Sequence, residues 1–401
     1  MLSSKFIKFM KILNARKIEN LICVINLGRV GIRLAEEYST RFDLLDIDQC
    51  LSLSEFQTPD LEKTEKHLLN LIKKREPLFS LMEYYDNYPY SYSDINYLFK
   101  GCLKTGVEIS IKAVDPVAKN HYFKVLNKLK KALKFYHFFM PWLVKKYKAD
   151  EILNDLEKHS REKFSLSNEI KSTKDMQESL KQYTQYDFIK KARFPKIYSY
   201  LSSENMVVSE FIYGSYFYEL INNRKLSYPT VLNLIKIQLF FMLKVGTFYN
   251  NLHSGNLILS EEGYIYFLDC NSISVLTPED RTSLFEILKS LTKQNFKKMA
   301  NEFNNLSSEK LNDEQLENLI TEIRNNFNAY TVTDDLPIIK FMRIFKIASE
   351  NGIVFDKNVF PIFKSFIYFS KLIKKTKKKN RVFIKDLDKI LDELSVITKS
   401  N

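Results

Sequence analysis

Asn256 and Asp269 are two oxygen-bearing residues set at the ends of a short apolar stretch. Asn256 closes the loop Asn251-Leu252-His253-Ser254-Gly255-Asn256, and the run Leu257-Ile258-Leu259 follows it. A Gly263-containing turn then leads into Tyr264-Ile265-Tyr266-Phe267-Leu268, which ends at Asp269. This reads as loop, strand, turn and second strand. Asn256 offers a neutral carbonyl oxygen and Asp269 a charged one, a reasonable pair of hard ligands for Mg²⁺. A metal so held can carry the phosphates of a nucleotide. Taken alone, Asp269 could simply begin a turn.

The elements that must position these residues are read from pattern. Residues 98–103, a Lys104-Thr105-Gly106 turn and residues 107–114 predict a β-hairpin. In its second strand Val107, Ile109 and Ile111 point one way, and Glu108, Ser110 and Lys112 the other. Lys112 therefore faces away from the apolar layer, a compact cation suited to phosphates, though a lone strand lysine is more often solvated. Residues 1 to about 75 look helical, with polar breaks near Asp46-Ile47-Asp48 and Thr58-Pro59-Asp60. Helices are expected at roughly 118–148 and 164–186, a second strand pair at 196–201 and 206–212, and a helix at 231–248. Thr277-Pro278-Glu279-Asp280 and Asn312-Asp313-Glu314-Gln315 are helix starts, and the rest looks helical. Strand runs followed by helix runs argue for α+β.

At 401 residues and 45% hydrophobic, the chain is a folded globular protein with room for a large core. Its net charge of +13 suggests an anionic partner. No nucleic-acid-binding motif accompanies that charge, so no nucleic acid is expected. Cys23, Cys50, Cys102 and Cys270 form no C-x-x-C pair and no metal-ligand spacing joins the five histidines, which favours a reducing, cytoplasmic setting. No signal peptide is read at the start, and the best apolar run, 231–248, holds Lys236 and Lys244. The chain is expected not to span a membrane. The Phe-rich segment from Phe360 to Ile373 runs into Lys374-Lys375-Thr376-Lys377-Lys378-Lys379-Asn380-Arg381. It has the composition of a peripheral membrane contact, and equally of a core helix ending in a solvated charge run.

With those elements in place, the chain resembles the UbiB/AarF/ADCK atypical kinases, a family linked to ubiquinone biosynthesis, over nearly its whole length. The family's early G-P-x-x-I-K-x-G-Q and S-T-R-P-D-L-L segments look like Gly28 through Arg33-Leu34-Ala35-Glu36 and like Ser39-Thr40-Arg41-Phe42-Asp43-Leu44-Leu45. A further family segment matches faintly at Pro89, Ile95 and Phe99-Lys100-Gly101. V-A-V-K-V looks like Ile109-Ser110-Ile111-Lys112-Ala113, and E-F-x-x-G like Glu210-Phe211-Ile212-Tyr213-Gly214. The catalytic loop H-A-D-P-H-P-G-N corresponds to Tyr249-Asn250-Asn251-Leu252-His253-Ser254-Gly255-Asn256, and L-D-F-G to Leu268-Asp269-Cys270-Asn271.

The resemblance implies a two-lobed protein-kinase-like fold: residues 1–75 a helical N-terminal extension, 76–212 the N-lobe, and 213–401 a mostly helical C-lobe with a basic C-terminal segment. It implies ATP and Mg²⁺ as cofactors. Lys112 would hold phosphates with Glu169 as its carboxylate, Glu210 would mark the nucleotide hinge, and Asn256 and Asp269 would bind the metal. Arg33, Asn251 and His253 would take catalytic positions.

Several of those positions are altered. Asn251 stands where the family has the catalytic Asp, five residues before Asn256. An amide cannot act as a base near neutral pH, and losing a general base costs roughly 10²–10⁴-fold. Arg33 and Glu36 replace the Lys and Gln of the early motif, and Asn271 replaces a Gly. The segment Ser91-Tyr92-Ser93-Asp94-Ile95-Asn96, expected to cover the phosphates as a loop, carries a bulky Tyr92 and an acidic Asp94. The expectation is therefore an atypical kinase-like protein that binds ATP and Mg²⁺, with weak ATPase or regulatory use in ubiquinone or isoprenoid-lipid metabolism. Alternatives are a small-molecule phosphotransferase of the aminoglycoside/choline type, whose D-L-H-P-G-N loop matches four of the six residues from Asn251 to Asn256, and a non-enzymatic pseudokinase scaffold.

Overall fold

The computed structural model describes residues 2–14, 27–55, 76–93, 95–331, 337–376 and 380–399. Chain order begins with helices α1 (Leu2–Leu13), α2 (Gly28–Tyr38), α3 (Ile47–Ser54) and α4 (Glu76–Leu81). Strands β1 (Met82–Tyr85), β2 (Ser91–Ser93), β3 (Asn96–Leu103) and β4 (Glu108–Val114) follow. Then come α5 (Pro116–Phe139), α6 (Pro141–Lys146), α7 (Ala149–Lys163) and α8 (Leu166–Lys181). The middle of the chain holds β5 (Ala192–Arg193), β6 (Met206–Glu210), β7 (Ser215–Tyr216), α9 (Phe217–Asn222) and α10 (Tyr228–Phe240). After these lie β8 (Thr247–Tyr249), β9 (Leu257–Leu259), β10 (Ile265–Phe267) and β11 (Ile273–Val275). Six helices complete the chain: α11 (Pro278–Lys293), α12 (Phe296–Leu306), α13 (Asp313–Thr331), α14 (Pro337–Glu350), α15 (Val359–Lys375) and α16 (Asn380–Lys399).

An antiparallel sheet in the order β1-β3-β4-β6, with β2 on β3, carries Lys112. Ile109, Ile111 and Val208 fill one of its faces, in a small core with Leu78, Met82 and Phe99. Lys112 pairs in register with Leu98 and Val207 and points to the other face, as the period-two pattern requires. A second sheet, β5-β10-β9-β7, carries the Asn256 and Asp269 loops, while β8 pairs with β11. The large core lies among the helices and reaches from Phe6 to Leu394.

Several elements differ from the sequence expectation. The expected helix at 118–148 breaks at Met140, because Pro141 has no N–H to continue it. A further helix, α7, fills the expected gap before 164. Residues 196–201 do not form a strand: Ile197 makes only an isolated bridge to Ser209. The expected helix at 231–248 ends as α10 and a π turn at Phe241–Val245, after which Gly246 at φ 81° sends the chain into β8. The stretch Tyr228–Val245 has the length and hydropathy to cross a bilayer, yet Leu234, Ile237 and Phe240 of α10 are buried in the protein core. Asp46, read as a break, caps α3 together with Gln49. The segment read as a phosphate-covering loop is largely strand, with Ser91 opposite Leu98 and Ser93 opposite Asn96. Asp94, the break at Thr58-Pro59-Asp60 and Cys23 lie outside the described residues.

The C-terminal Phe-rich segment resolves in favour of the core. Phe363, Phe366 and Phe369 of α15 are buried, and Pro361 falls in its first turn. The apolar half of a membrane contact there is therefore already used in packing. Phe42 of the early motif lies 4.5 Å from Phe363 and 5.6 Å from Phe345, ring to ring, which joins that motif to α14 and α15.

Candidate functional site

The site lies where the Lys112 face of the first sheet meets the loops around β9 and β10. Asp115 caps α5 by accepting from the N–H groups of Val117 and Ala118 at 2.8 and 3.2 Å, which ends β4 just beyond Lys112. Glu169 sits in the first turn of α8, buried. Lys112 Nζ donates to Glu169 Oε2 at 2.7 Å and to Asp269 Oδ1 at 2.6 Å. Burial alone would push Lys112 down, but Asp269 and Glu169 outweigh it and hold its pKa above the usual lysine range. Burial would likewise raise Asp269, and Lys112 with Lys163 instead holds it well below the ordinary carboxylate range.

Asn256 and Asp269 are joined through their backbones. Leu257 pairs with Phe267 across the β9–β10 hairpin, and Leu268 N donates to Asn256 O at 2.8 Å. Buried Tyr249 donates its hydroxyl to Leu268 O, and Gln238 of α10 donates to Tyr249 O. Asn256 Nδ2 donates to Asn251 O at 3.2 Å, which leaves its side-chain oxygen to serve as an acceptor. Asp269 itself takes φ 60°, a left-handed conformation that Asp tolerates better than most residues. Asn271, which stands where the family pattern has Gly, does not take a positive φ. Asn271 instead braces the site from one side: its Nδ2 donates to Lys163 O at 3.1 Å and to Glu169 Oε2 at 3.0 Å.

Asn251 is buried, and its Nδ2 lies 3.4 Å from Asp269 Oδ2, a long contact. His253 shapes the loop: its Nδ1 accepts from Gly255 N at 3.0 Å, and its Nε2 is buried without a partner. Burial pushes the imidazole down to about 4, so it is neutral near pH 7. Arg33 comes to the site on α2, bonded to Glu36 at 2.7 Å, and its charge helps hold Asp269 ionised. Glu36 also binds Lys364 of α15 at 2.7 Å.

Glu210 is not brought to this group. It pairs in register with Ile109, on the opposite face from Lys112, and its carboxylate accepts from Lys196 N at 2.9 Å. Three further side chains at the site escaped the sequence reading. Burial with Arg33 alongside pushes Lys163 down to about 7, against the pull of Asp269 and Glu36. Lys364 carried a signal, since it is a cation set between Phe363 and Phe366 of α15. Tyr90 donates to or accepts from Ser110 Oγ at 2.7 Å, so its ring crosses the sheet face two residues from Lys112, 5.6 Å from Phe211.

Among the described residues, no group of three or more His, Cys, Asp or Glu converges on a metal position. That suits Mg²⁺, which is usually bound by one or two protein oxygens together with substrate phosphates. Asn271 Oδ1 is buried beside Glu169 and Asp269 with no hydrogen-bond partner, an acceptor that a cation or its water would satisfy. The donor set therefore fits Mg²⁺ carried with phosphates.

The family described as the ABC1 atypical kinase-like domain matches residues 59–303, more than half of the chain. A chloroplastic aarF domain-containing protein kinase of Arabidopsis thaliana is 24% identical over 229 residues, covering 56% of this chain and 42% of the relative. A probable protein kinase UbiB of Pectobacterium carotovorum is 24% identical over 293 residues, covering 68% of this chain and 51% of the relative. The chain thus spans about half the length of the curated relatives it matches. A Mycobacterium tuberculosis protein solved with erythromycin is loosely similar, at TM-score 0.43 and 12% identity over 77% of this chain and 85% of that one. With α+β architecture and the family match over residues 59–303, this chain belongs to the ABC1 atypical kinase-like family, which includes the UbiB and aarF kinases.

Proposed function

We propose that the chain binds ATP with Mg²⁺ and turns it over slowly or not at all, in a regulatory role within ubiquinone or isoprenoid-lipid metabolism. The observation that carries this reading is Lys112 held between Glu169 and Asp269, with Asn256 hydrogen-bonded to the same loop. Lys112 has three donors and spends two on carboxylates, so the third can meet a phosphate oxygen. Mg²⁺, when bound, neutralises phosphate charge; Asn256 and Asp269 would hold it. Glu169 keeps the ammonium in place, and Arg33 and Lys163 add positive charge around Asp269.

Asn251 is the group that limits chemistry. Its amide can orient a hydroxyl or water by hydrogen bonding, but cannot take the proton. Phosphoryl transfer leans on positioning and charge stabilisation, so slow hydrolysis is compatible with the site. Tyr90 is bonded to Ser110 on the face that carries Lys112, so a nucleobase entering over Ser110 would have to stack against its ring or displace it. The metabolic assignment rests on the UbiB-type resemblance, and three buried free thiols at Cys50, Cys102 and Cys270 support a reducing compartment.

Calorimetric titration with ATP, with and without Mg²⁺, tests the binding claim. Saturable Mg²⁺-dependent binding that Lys112→Met removes is the expected result. No binding at millimolar ATP would leave a protein-docking scaffold in its place.

A further inference from the structure

The junction of α5 and α6 presents a surface that the nucleotide site does not use. Phe135, Phe138 and Phe139 end α5 and Trp142 begins α6, and all four are exposed, Phe138 at 82%. The three phenyl rings pack on one another, not into the core, with centroids 4.6 Å apart for Phe135–Phe139 and 5.1 Å for Phe138–Phe139. Large apolar side chains that cluster on the surface, and are not scattered singly, are what interaction surfaces present.

Its surroundings say what it fits. From Pro116 to Lys148 the sequence contains nine lysines and no Asp or Glu. Lys130 pairs with Glu157 and Lys148 with Asp43. Lys128, Lys131, Lys134 and Lys145 are exposed and carry no ion pair among the described residues. Lys131 and Lys134 lie one turn before the phenyl cluster on α5, and Lys145 lies one turn after Trp142. Helix α1, tied to α6 through Lys146 Nζ and Asn14 Oδ1 at 2.7 Å, adds exposed Lys8 and Lys11.

We infer that this aromatic tip and its lysine collar dock on an anionic lipid surface. Phe and Trp rings enter the headgroup boundary, while flexible lysines reach back to lipid phosphates. Each cation near such a surface adds attraction that salt screens. A second copy of the chain is the poorer occupant, since it would set one uncompensated lysine collar against another. The surface is separate from the Phe-rich helix α15, whose rings are buried.

Trp142 is the only tryptophan of the chain, so its fluorescence reports on the tip directly. The protein is mixed with phosphatidylcholine vesicles, with or without about 30 mol% phosphatidylglycerol, at low and high salt. The expected result is a blue shift of Trp142 emission and co-sedimentation with the anionic vesicles only, both weakened by salt. Phe135→Ser with Phe138→Ser keeps the reporter and should weaken partitioning about tenfold or more. Lys131→Gln with Lys134→Gln should remove most of the salt dependence. No shift and no pelleting at low salt overturns the inference. So does vesicle binding that the phenylalanine variant leaves unchanged, or a Trp142 already shielded by concentration-dependent dimerisation without vesicles.

Discussion

Lys112 satisfies two carboxylates with one ammonium, and this shared cation sets the electrostatics of every neighbour. Asn251 belongs to that field because its amide lies 3.4 Å from Asp269 Oδ2. Asn251→Asp would set a second carboxylate there, and like charges at that range cannot both ionise freely. We expect this variant to lose about 1–2 kcal/mol of stability in a chelator and to recover it with Mg²⁺, measured by urea denaturation. A variant as stable as wild type in chelator would show that the two positions do not interact. In ATP hydrolysis the same variant should gain about tenfold or more if the missing base is the main defect. His253 predicts a pH effect. Its folded pKa, about 4, lies below the ordinary 6.5, so its contribution is present above 6.5 and lost as pH falls through 4. The melting temperature should fall across that window, and His253→Gln should flatten the fall.

The early motif, helix α2 with the segment after it, does two jobs that its sequence ran together. Its Arg33–Glu36 turn faces the site and reaches Lys364 on α15, while the segment after it anchors to the helices through Phe42 and Arg41. Buried Arg41 binds Asp43 at 2.7 Å and Glu151 at 3.1 Å, so it ties this segment to α7. Glu36 is the joint between two cations, and burial is outweighed by Lys364 and Arg33, which hold its pKa well below the usual range. Glu36→Gln would take one shared carboxylate from both cations at once, and we expect it to cost about 2 kcal/mol in denaturant unfolding. The early motif was legible in the sequence as a motif, and its division of labour was not. Alternation placed Lys112 on the correct face because strand geometry is local. Glu210 came from motif matching, which carries no facing information, and its side chain lies across the sheet from Lys112. Lys163 left no trace in the pattern, because a lysine at a helix end is ordinarily solvated.

Two cores meet over one site in the whole molecule, and that arrangement explains which parts could be read in advance. The β3–β4 and β9–β10 hairpins, with their Gly106 and Gly263 turns at φ 80° and 83°, declare themselves in short windows. The helical segments between 116 and 181 did so only in part: Pro141 carries its break in one residue, whereas the bounds of α7 depend on how it packs against α2 and α5. The proposed site follows the same division: the half assigned to metal and nucleotide is built from local hairpins, whereas the charges around it arrive from α2, α7 and α15. Whether this half still binds nucleotide is decided by thermal unfolding with ATP, with and without Mg²⁺, in wild type and Asp269→Ala. At a ligand concentration about 100 times Kd, binding adds about 2.7 kcal/mol. We expect a clear rise in melting temperature that needs both Mg²⁺ and Asp269. An unchanged melting temperature for wild type at millimolar Mg²⁺–ATP, or an equal rise in Asp269→Ala, would refute a working metal-nucleotide site.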